Sequence, residues 1–152
     1  QWVGAPGDFA GDVAWHNETL IIGATRNWSK TVLEWNLAAD EHQNPHTDRG
    51  GCDRCLGALT ITGDSVVRNP AYYIIAQASK FVPPGSVRMA STALENLPNV
   101  AFKTPDGALV TILQNKEATT KTIEIQLGET AVFVEMPAKS IGTLVYKDPN
   151  ES

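Results

Sequence analysis

Thr120-Lys-Thr-Ile-Glu-Ile-Gln-Leu127 alternates polar and apolar side chains from Thr122 onward. Successive side chains of an extended chain point to opposite faces, so Ile123, Ile125 and Leu127 share one face while Thr122, Glu124 and Gln126 share the other. That pattern predicts a half-buried strand. Working outward, the same chemistry predicts strands near residues 86–93, 99–103, 109–114, 131–135 and 141–146. Pro105-Asp106-Gly107 supplies the turn between two of them, with the glycine in the left-handed position. Short strands at this spacing predict an antiparallel β-sandwich domain over residues 84–152.

Upstream of Pro83-Pro84-Gly85 the period changes. Asn69 can cap, and Pro70 can open, a helix over residues 70–82 whose Tyr73, Ile74, Ala78 and Phe81 lie on one side. Residues 58–61 and 65–68 flank Gly63-Asp64 and predict a hairpin. Before it runs a long polar loop, residues 40–57, with Asn44-Pro45 and Gly50-Gly51. Lys30-Thr-Val-Leu-Glu-Trp-Asn-Leu37 is rich in β-branched and aromatic residues and reads as a strand. Residues 12–27 carry Val13, Leu20, Ile21 and Ala24 at helical spacing, with Asp12 at the positive end of the dipole and Arg26 at the other. Residues 1–83 therefore read as a helix–strand–helix α/β piece.

The chain has 152 residues, 42% of them hydrophobic and 19% charged. A chain of that size buries roughly two thirds of its unfolded surface, which excludes disorder. A net charge of −5 without any basic cluster argues against a nucleic-acid or anionic-membrane partner. Leu20 to Ala24 and Ala71 to Ala78 are too short or too interrupted to span a bilayer, so no transmembrane segment is expected. The opening Gln1-Trp2-Val3-Gly4 reads as a piece of something longer.

The Cys52 and Cys55 pair permits three readings. With His42 and His46 it offers zinc-ligand types, but at a spacing unlike that of a finger. A redox pair would open a helix, and this one precedes a hairpin. A disulfide pinning the long loop is the reading adopted, and neither a metal nor a cofactor is expected. Trp35 stands at the end of the predicted strand, before the long loop. Alternation sets Leu33, Trp35 and Leu37 against Val32, Glu34 and Asn36, and does not say which side faces a pocket. No nucleophilic triad, phosphate loop or dinucleotide fingerprint is present. His16 reads as a packing or surface residue, and the sequons at Asn17, Asn27 and Asn150 as chance matches.

Taken together, Gln1-Trp-Val-Gly4, Ile22-Gly23, Arg26-Asn-Trp28, Leu33-Glu-Trp-Asn-Leu-Ala38, Gly50-Gly-Cys52, Cys55-x-Gly-Ala-Leu-Thr60, Tyr72-Tyr-Ile-Ile-Ala76 and Ala78-Ser-Lys-Phe81 resemble glycoside hydrolase family 30. Val82-x-x-Gly-Ser86, Leu97-Pro-Asn-Val-Ala-Phe102 and Thr104-Pro-Asp-Gly107 extend the resemblance into the β-domain. It implies retaining β-glycosidases built on a (β/α)8 TIM barrel with a β-sandwich beside it, glucosylceramidases and endo-β-1,6-glucanases among them. The Gly-Gly-Cys loop resembles the β-1,6-glucanase branch.

By that resemblance residues 12–27 correspond to the seventh barrel helix, 30–38 to the eighth strand and 70–82 to the eighth helix. The nucleophile Glu is expected directly before Gln1 and the acid/base Glu further upstream, so this chain alone is expected to be inactive. Trp35 matches the tryptophan that lines the sugar subsite. Asn36 and His46 are added from position as possible donors to sugar hydroxyls. The expectation is thus the C-terminal portion of a secreted or periplasmic retaining β-glycosidase acting on a β-glucan or β-glucoside, an endo-β-1,6-glucanase, with a glucosylceramidase as one alternative. The missing part of its barrel, or another chain, would be its partner. The alternative is a non-catalytic carbohydrate-binding or structural piece.

Overall fold

The computed structural model describes residues 3–147, so Gln1 and Trp2 of the family-like opening and the Asn150 sequon lie outside the described residues. The chain divides after Ser79 into two compact units.

In the first unit, β1 (Val3–Gly4) precedes α1 (Phe9–His16). Asp12 reaches back across the first turn, its Oδ2 accepting the Asp8 N–H at 3.0 Å, which gives an orphan amide of the helix start a partner. The expected helix continues without a break but changes pitch, because Asn17–Ala24 is π-helical. In this widened coil Gly23 comes so close to the Glu18 carbonyl that an added Cβ would stand 3.0 Å from its oxygen, a place glycine fills without strain. The Thr25 hydroxyl also donates to the Ile21 and Ile22 carbonyls, a back-bonding that loosens helical pitch. The buried line is consequently His16, Asn17, Ile21 and Ile22, shifted from the one that a 3.6-residue period picks out.

The expected strand over residues 30–38 is corrected. Ladder structure begins only at Ala38, as β2 (Ala38–Asp40), and residues 30–37 hold one isolated bridge at Trp35. A strand exists only where a neighbour accepts its hydrogen bonds, and that neighbour arrives late in the segment. Ala58 N–H donates to the Asn36 carbonyl at 2.7 Å and Leu59 N–H to Leu37 at 3.0 Å. Then β3 (Cys55–Leu56) pairs antiparallel with β1, and β4 (Leu59–Thr62) lies parallel to β2. β5 (Ser65–Arg68) closes the expected hairpin on β4, giving the order β2-β4-β5. α2 (Pro70–Ser79) packs against α1 and buries Ala71 and Ile74.

The second unit holds β6 (Val87–Met89), β7 (Asn99–Lys103), β8 (Leu109–Gln114), β9 (Lys121–Leu127), β10 (Thr130–Met136) and β11 (Ile141–Tyr146). They form a four-stranded antiparallel sheet, β11-β8-β7-β6, and a separate β9–β10 hairpin. Leu113 of the sheet meets Ile123 and Met136 of the hairpin, with Leu97, Ile125, Val134 and Leu144 packed around them. Gly107 and Gly128 take positive φ at the two tight turns. The expected strand at 86–93 stops at Met89. Asn99 Nδ2 donates to the Thr92 and Leu97 carbonyls at 3.0 and 2.9 Å, and the chain from Ala90 leaves the ladder.

Candidate functional site around Trp35

Which way the segment 30–37 faces is settled by Glu34. Its carboxylate Oε1 lies 2.8 Å from His16 Nδ1 and both side chains are buried, so the Glu34 face is turned toward the helices. The Trp15 ring meets the His16 imidazole edge-on at 5.0 Å. Leu33, Trp35 and Leu37 occupy the opposite face at 79%, 52% and 80% exposure. Alternation thus holds across a segment that has scarcely any ladder, because burying one carboxylate fixes the direction of its neighbours.

Asn36 falls on the Glu34 side. Its Oδ1 is buried and approaches Gly57 so closely that a Cβ there would lie 2.6 Å away. The Trp35–Asn36 peptide is cis. Trp35 and Asn36 are therefore not brought together on one face. His46 is exposed in the long loop, where it borders a shallow depression with Thr47, Asp48, Gly50, Gly51 and Asp53.

That loop is shaped from its two ends. At the start, Asp40 Oδ1 accepts the N–H groups of His42 at 2.9 Å and Asn44 at 2.8 Å, and Oδ2 accepts from Asn44 Nδ2 at 3.1 Å. The Asn44 backbone N–H is the largest of the causes that hold the Asp40 carboxyl below its ordinary value. At the far end Cys52 and Cys55 are joined, with sulfurs 2.11 Å apart. The bond withdraws both sulfurs from any zinc set with His42 and His46. Among the described residues no group of three or more His, Cys, Asp or Glu is arranged to hold a metal. Ala5 N–H donates to the Arg54 carbonyl at 2.8 Å, and Gly4 pairs with Cys55, so the bridged loop grips β1.

The site's chemistry is therefore that of a half-exposed indole flanked by two leucines. An indole face takes the apolar axial C–H face of a pyranose. The His16–Glu34 contact is the feature that sequence reading missed. Its only signal was a histidine lying beside the apolar line of a helix.

Residues 85–144 match the family model described as the glycosyl hydrolase family 30 beta sandwich domain. The chain carries the β-sandwich domain of glycoside hydrolase family 30. Among family relatives, endo-1,6-beta-D-glucanase neg1 of Aspergillus fumigatus is 33% identical over 109 residues, covering 67% of this chain and 22% of that protein. Lysosomal acid glucosylceramidase of Mus musculus is 30% identical over 118 residues, covering 75% of this chain and 22% of that protein. The chain thus spans under a quarter of the length of either relative. A solved endo-beta1,6-glucanase superposes with a TM-score of 0.82 at 32% identity, over 90% of this chain and 31% of the other. SrfJ from Salmonella typhimurium shares the fold, with a TM-score of 0.78 at 23% identity over 97% of this chain and 34% of the other.

Proposed function

We propose that this family 30 chain is the C-terminal portion of a retaining β-glycosidase acting on β-1,6-linked glucan, and that its first unit is the closing helix–strand–helix part of a (β/α)8 barrel. The observation that carries the reading is the face formed by Leu33, Trp35 and Leu37. These apolar side chains point away from the helices and stand open. In an α/β barrel the side of a strand away from its helices is the barrel interior, and the site lies at the carboxyl ends of the strands. Trp35 then forms part of the sugar-binding wall, with its indole under a pyranose ring.

Retaining hydrolysis needs a nucleophile and an acid/base about 5 Å apart. On this reading both carboxylates belong to the rest of the barrel, and Glu34, held by His16, takes no part in proton transfer. The preference for β-1,6-glucan rests on the glucanase relatives and on the Gly50-Gly51-Cys52 loop. The mouse glucosylceramidase supports the alternative substrate, glucosylceramide. The Cys52–Cys55 bond favours secretion or a periplasmic location. Among the described residues no helix is long and apolar enough to cross a membrane.

The test is to assay the polypeptide that carries these residues at its natural length on β-1,6-glucan and on glucosylceramide, with and without Trp35→Ala. Turnover of the glucan, with kcat/KM falling about a hundredfold in the variant, is expected; that corresponds to about 2.7 kcal/mol of transition-state binding. Turnover of glucosylceramide alone would transfer the assignment to the other branch. Glucan hydrolysis indifferent to Trp35 would remove the residue from the site.

A further inference from the structure

The side chains of His16 and Glu34 are 5% and 4% exposed, so any further chain laid over this unit can only bury them more. His16 ends α1, and Glu34 directly precedes Trp35 in sequence. Nδ1 stands 2.8 Å from Oε1, and because a carboxylate only accepts, Nδ1 is the donor. The helix is built to present this imidazole. It changes to π pitch at Asn17, directly after His16, and its buried residues then recur at every fifth position, His16 with Ile21 and Asn17 with Ile22. An α-helical course would instead set Asn17 and Glu18 in line with Ile21 and Ile22. The Trp15 ring braces the imidazole from its edge.

We infer that His16 and Glu34 are positioning residues for sugar binding: together they form a register lock that keeps Trp35 on the face away from the helices. Backbone hydrogen bonds cannot supply this, however many neighbours the segment has. A slip by one residue re-forms the ladder and exchanges the face of every side chain. The bonds that Asn36 and Leu37 accept from Ala58 and Leu59 are of this exchangeable kind. The bond from His16 is not, because only one residue of the segment carries a carboxylate. A slip would take Glu34 from its donor, leave the imidazole buried without its acceptor and turn the indole toward the helices. Fixing register is the best-attested use of a buried polar pair. Neither side chain touches substrate; both act through Trp35. The inference therefore rests on the reading of Trp35 as part of the sugar-binding wall.

The experiment measures kcat and KM on β-1,6-glucan for the polypeptide at its natural length, as wild type, Trp35→Ala, His16→Ala, Glu34→Ala, Glu34→Gln and the double variant His16→Leu/Glu34→Met. The two alanine variants of the pair should lose about tenfold in kcat/KM, divided between kcat and KM as in Trp35→Ala. Glu34→Ala made in the Trp35→Ala background should lose less than about twofold more, since its effect passes through the indole. Glu34→Gln, still an acceptor for Nδ1, should stay within about twofold of wild type. The double variant replaces both partners by apolar side chains, a change that commonly preserves stability, and so separates register from folding. With its Tm kept, it should still lose about tenfold in kcat/KM. A double variant that melts as wild type and is fully active makes the pair structural only and overturns the lock. Alanine losses that add to that of Trp35→Ala overturn it as well. Trp35→Ala as active as wild type would instead reject the sugar-wall reading. The Trp35 indole N–H signal then tests the lock by itself: a shift that differs between wild type and the double variant sustains it, and an equal shift overturns it.

Discussion

The His16 imidazole and the Glu34 carboxylate meet at 2.8 Å, both buried, one at the end of α1 and the other in a segment with almost no ladder of its own. Glu34 Oε2, also buried, has no hydrogen-bond partner among the described residues, so the contact with His16 carries most of the compensation for burying this group. Removing one member of such a pair leaves the other without its counterpart, which costs more than the pair itself contributes. His16→Ala and Glu34→Ala are each expected to lower the stability of the first unit by about 3 kcal/mol. Glu34→Gln, which keeps an acceptor for the imidazole N–H, should lose less. Hydrogen exchange of the α1 amides reads this directly, and unchanged protection in both alanine variants would contradict it.

Gly57 is expected to be irreplaceable even by alanine. A Cβ there would stand 2.6 Å from Asn36 Oδ1 and 2.7 Å from the Ala38 carbonyl carbon and the Ala39 nitrogen. Two of these atoms are backbone and cannot swing aside, so the β2–β4 pairing must part. Gly57→Ala should lower stability by about 2 kcal/mol and blue- or red-shift the Trp35 emission as its segment moves. A urea midpoint equal to wild type would show that the strands yield freely.

In the sandwich unit, Asn115 is the corresponding polar fixture. Its Nδ2 donates to the Thr119, Met136 and Pro137 carbonyls at 2.9, 3.0 and 2.9 Å, and its Oδ1 accepts the Glu117 N–H at 2.9 Å. Alanine would strand buried carbonyls at the place where the chain passes from sheet to hairpin. The expected loss is about 2 kcal/mol, seen as a lower denaturation midpoint at unchanged slope. Asn115→Asp, which replaces the donor by a second acceptor, should be at least as damaging.

Asp106 sits in the Thr104–Gly107 turn with Lys147 Nζ 2.6 Å from Oδ2 and the Thr104 hydroxyl 2.5 Å from Oδ1. The Lys147 hydrogen bond first, and Thr104 second, lower its pKa from 3.8 to about 2. Folding therefore disfavours protonation of this group. The stability it contributes is fully present above pH 3.8 and is lost as the pH falls through about 2. In Lys147→Met the Asp106 carboxyl should titrate closer to its ordinary value, followed by carbonyl-carbon chemical shift. Because both side chains are exposed, the change in stability at neutral pH should be small. An unchanged titration would remove Lys147 as the cause.

The strands of the second unit were legible in the sequence because each lies on one packed layer, where a period of two is the whole signal. The predicted ranges 99–103, 109–114 and 141–146 coincide with β7, β8 and β11. The start of the helix at Pro70 was legible from Asn69 and the proline, which act locally, whereas the predicted end at residue 82 ran three residues past Ser79. Periodicity also gave the two sides of residues 32–37, but not their directions, since a strand pattern is unchanged by exchanging its faces. Only tertiary structure decided that, through the His16–Glu34 contact, which joins residues on different elements and turns Trp35 outward from the helices. The pitch change at Asn17, the stop of β6 at Met89 and the parallel pairing of β2 with β4 were likewise invisible. Each depends on which carbonyl or amide a distant residue supplies, and a hydrogen-bond partner across the fold leaves no mark in the local sequence.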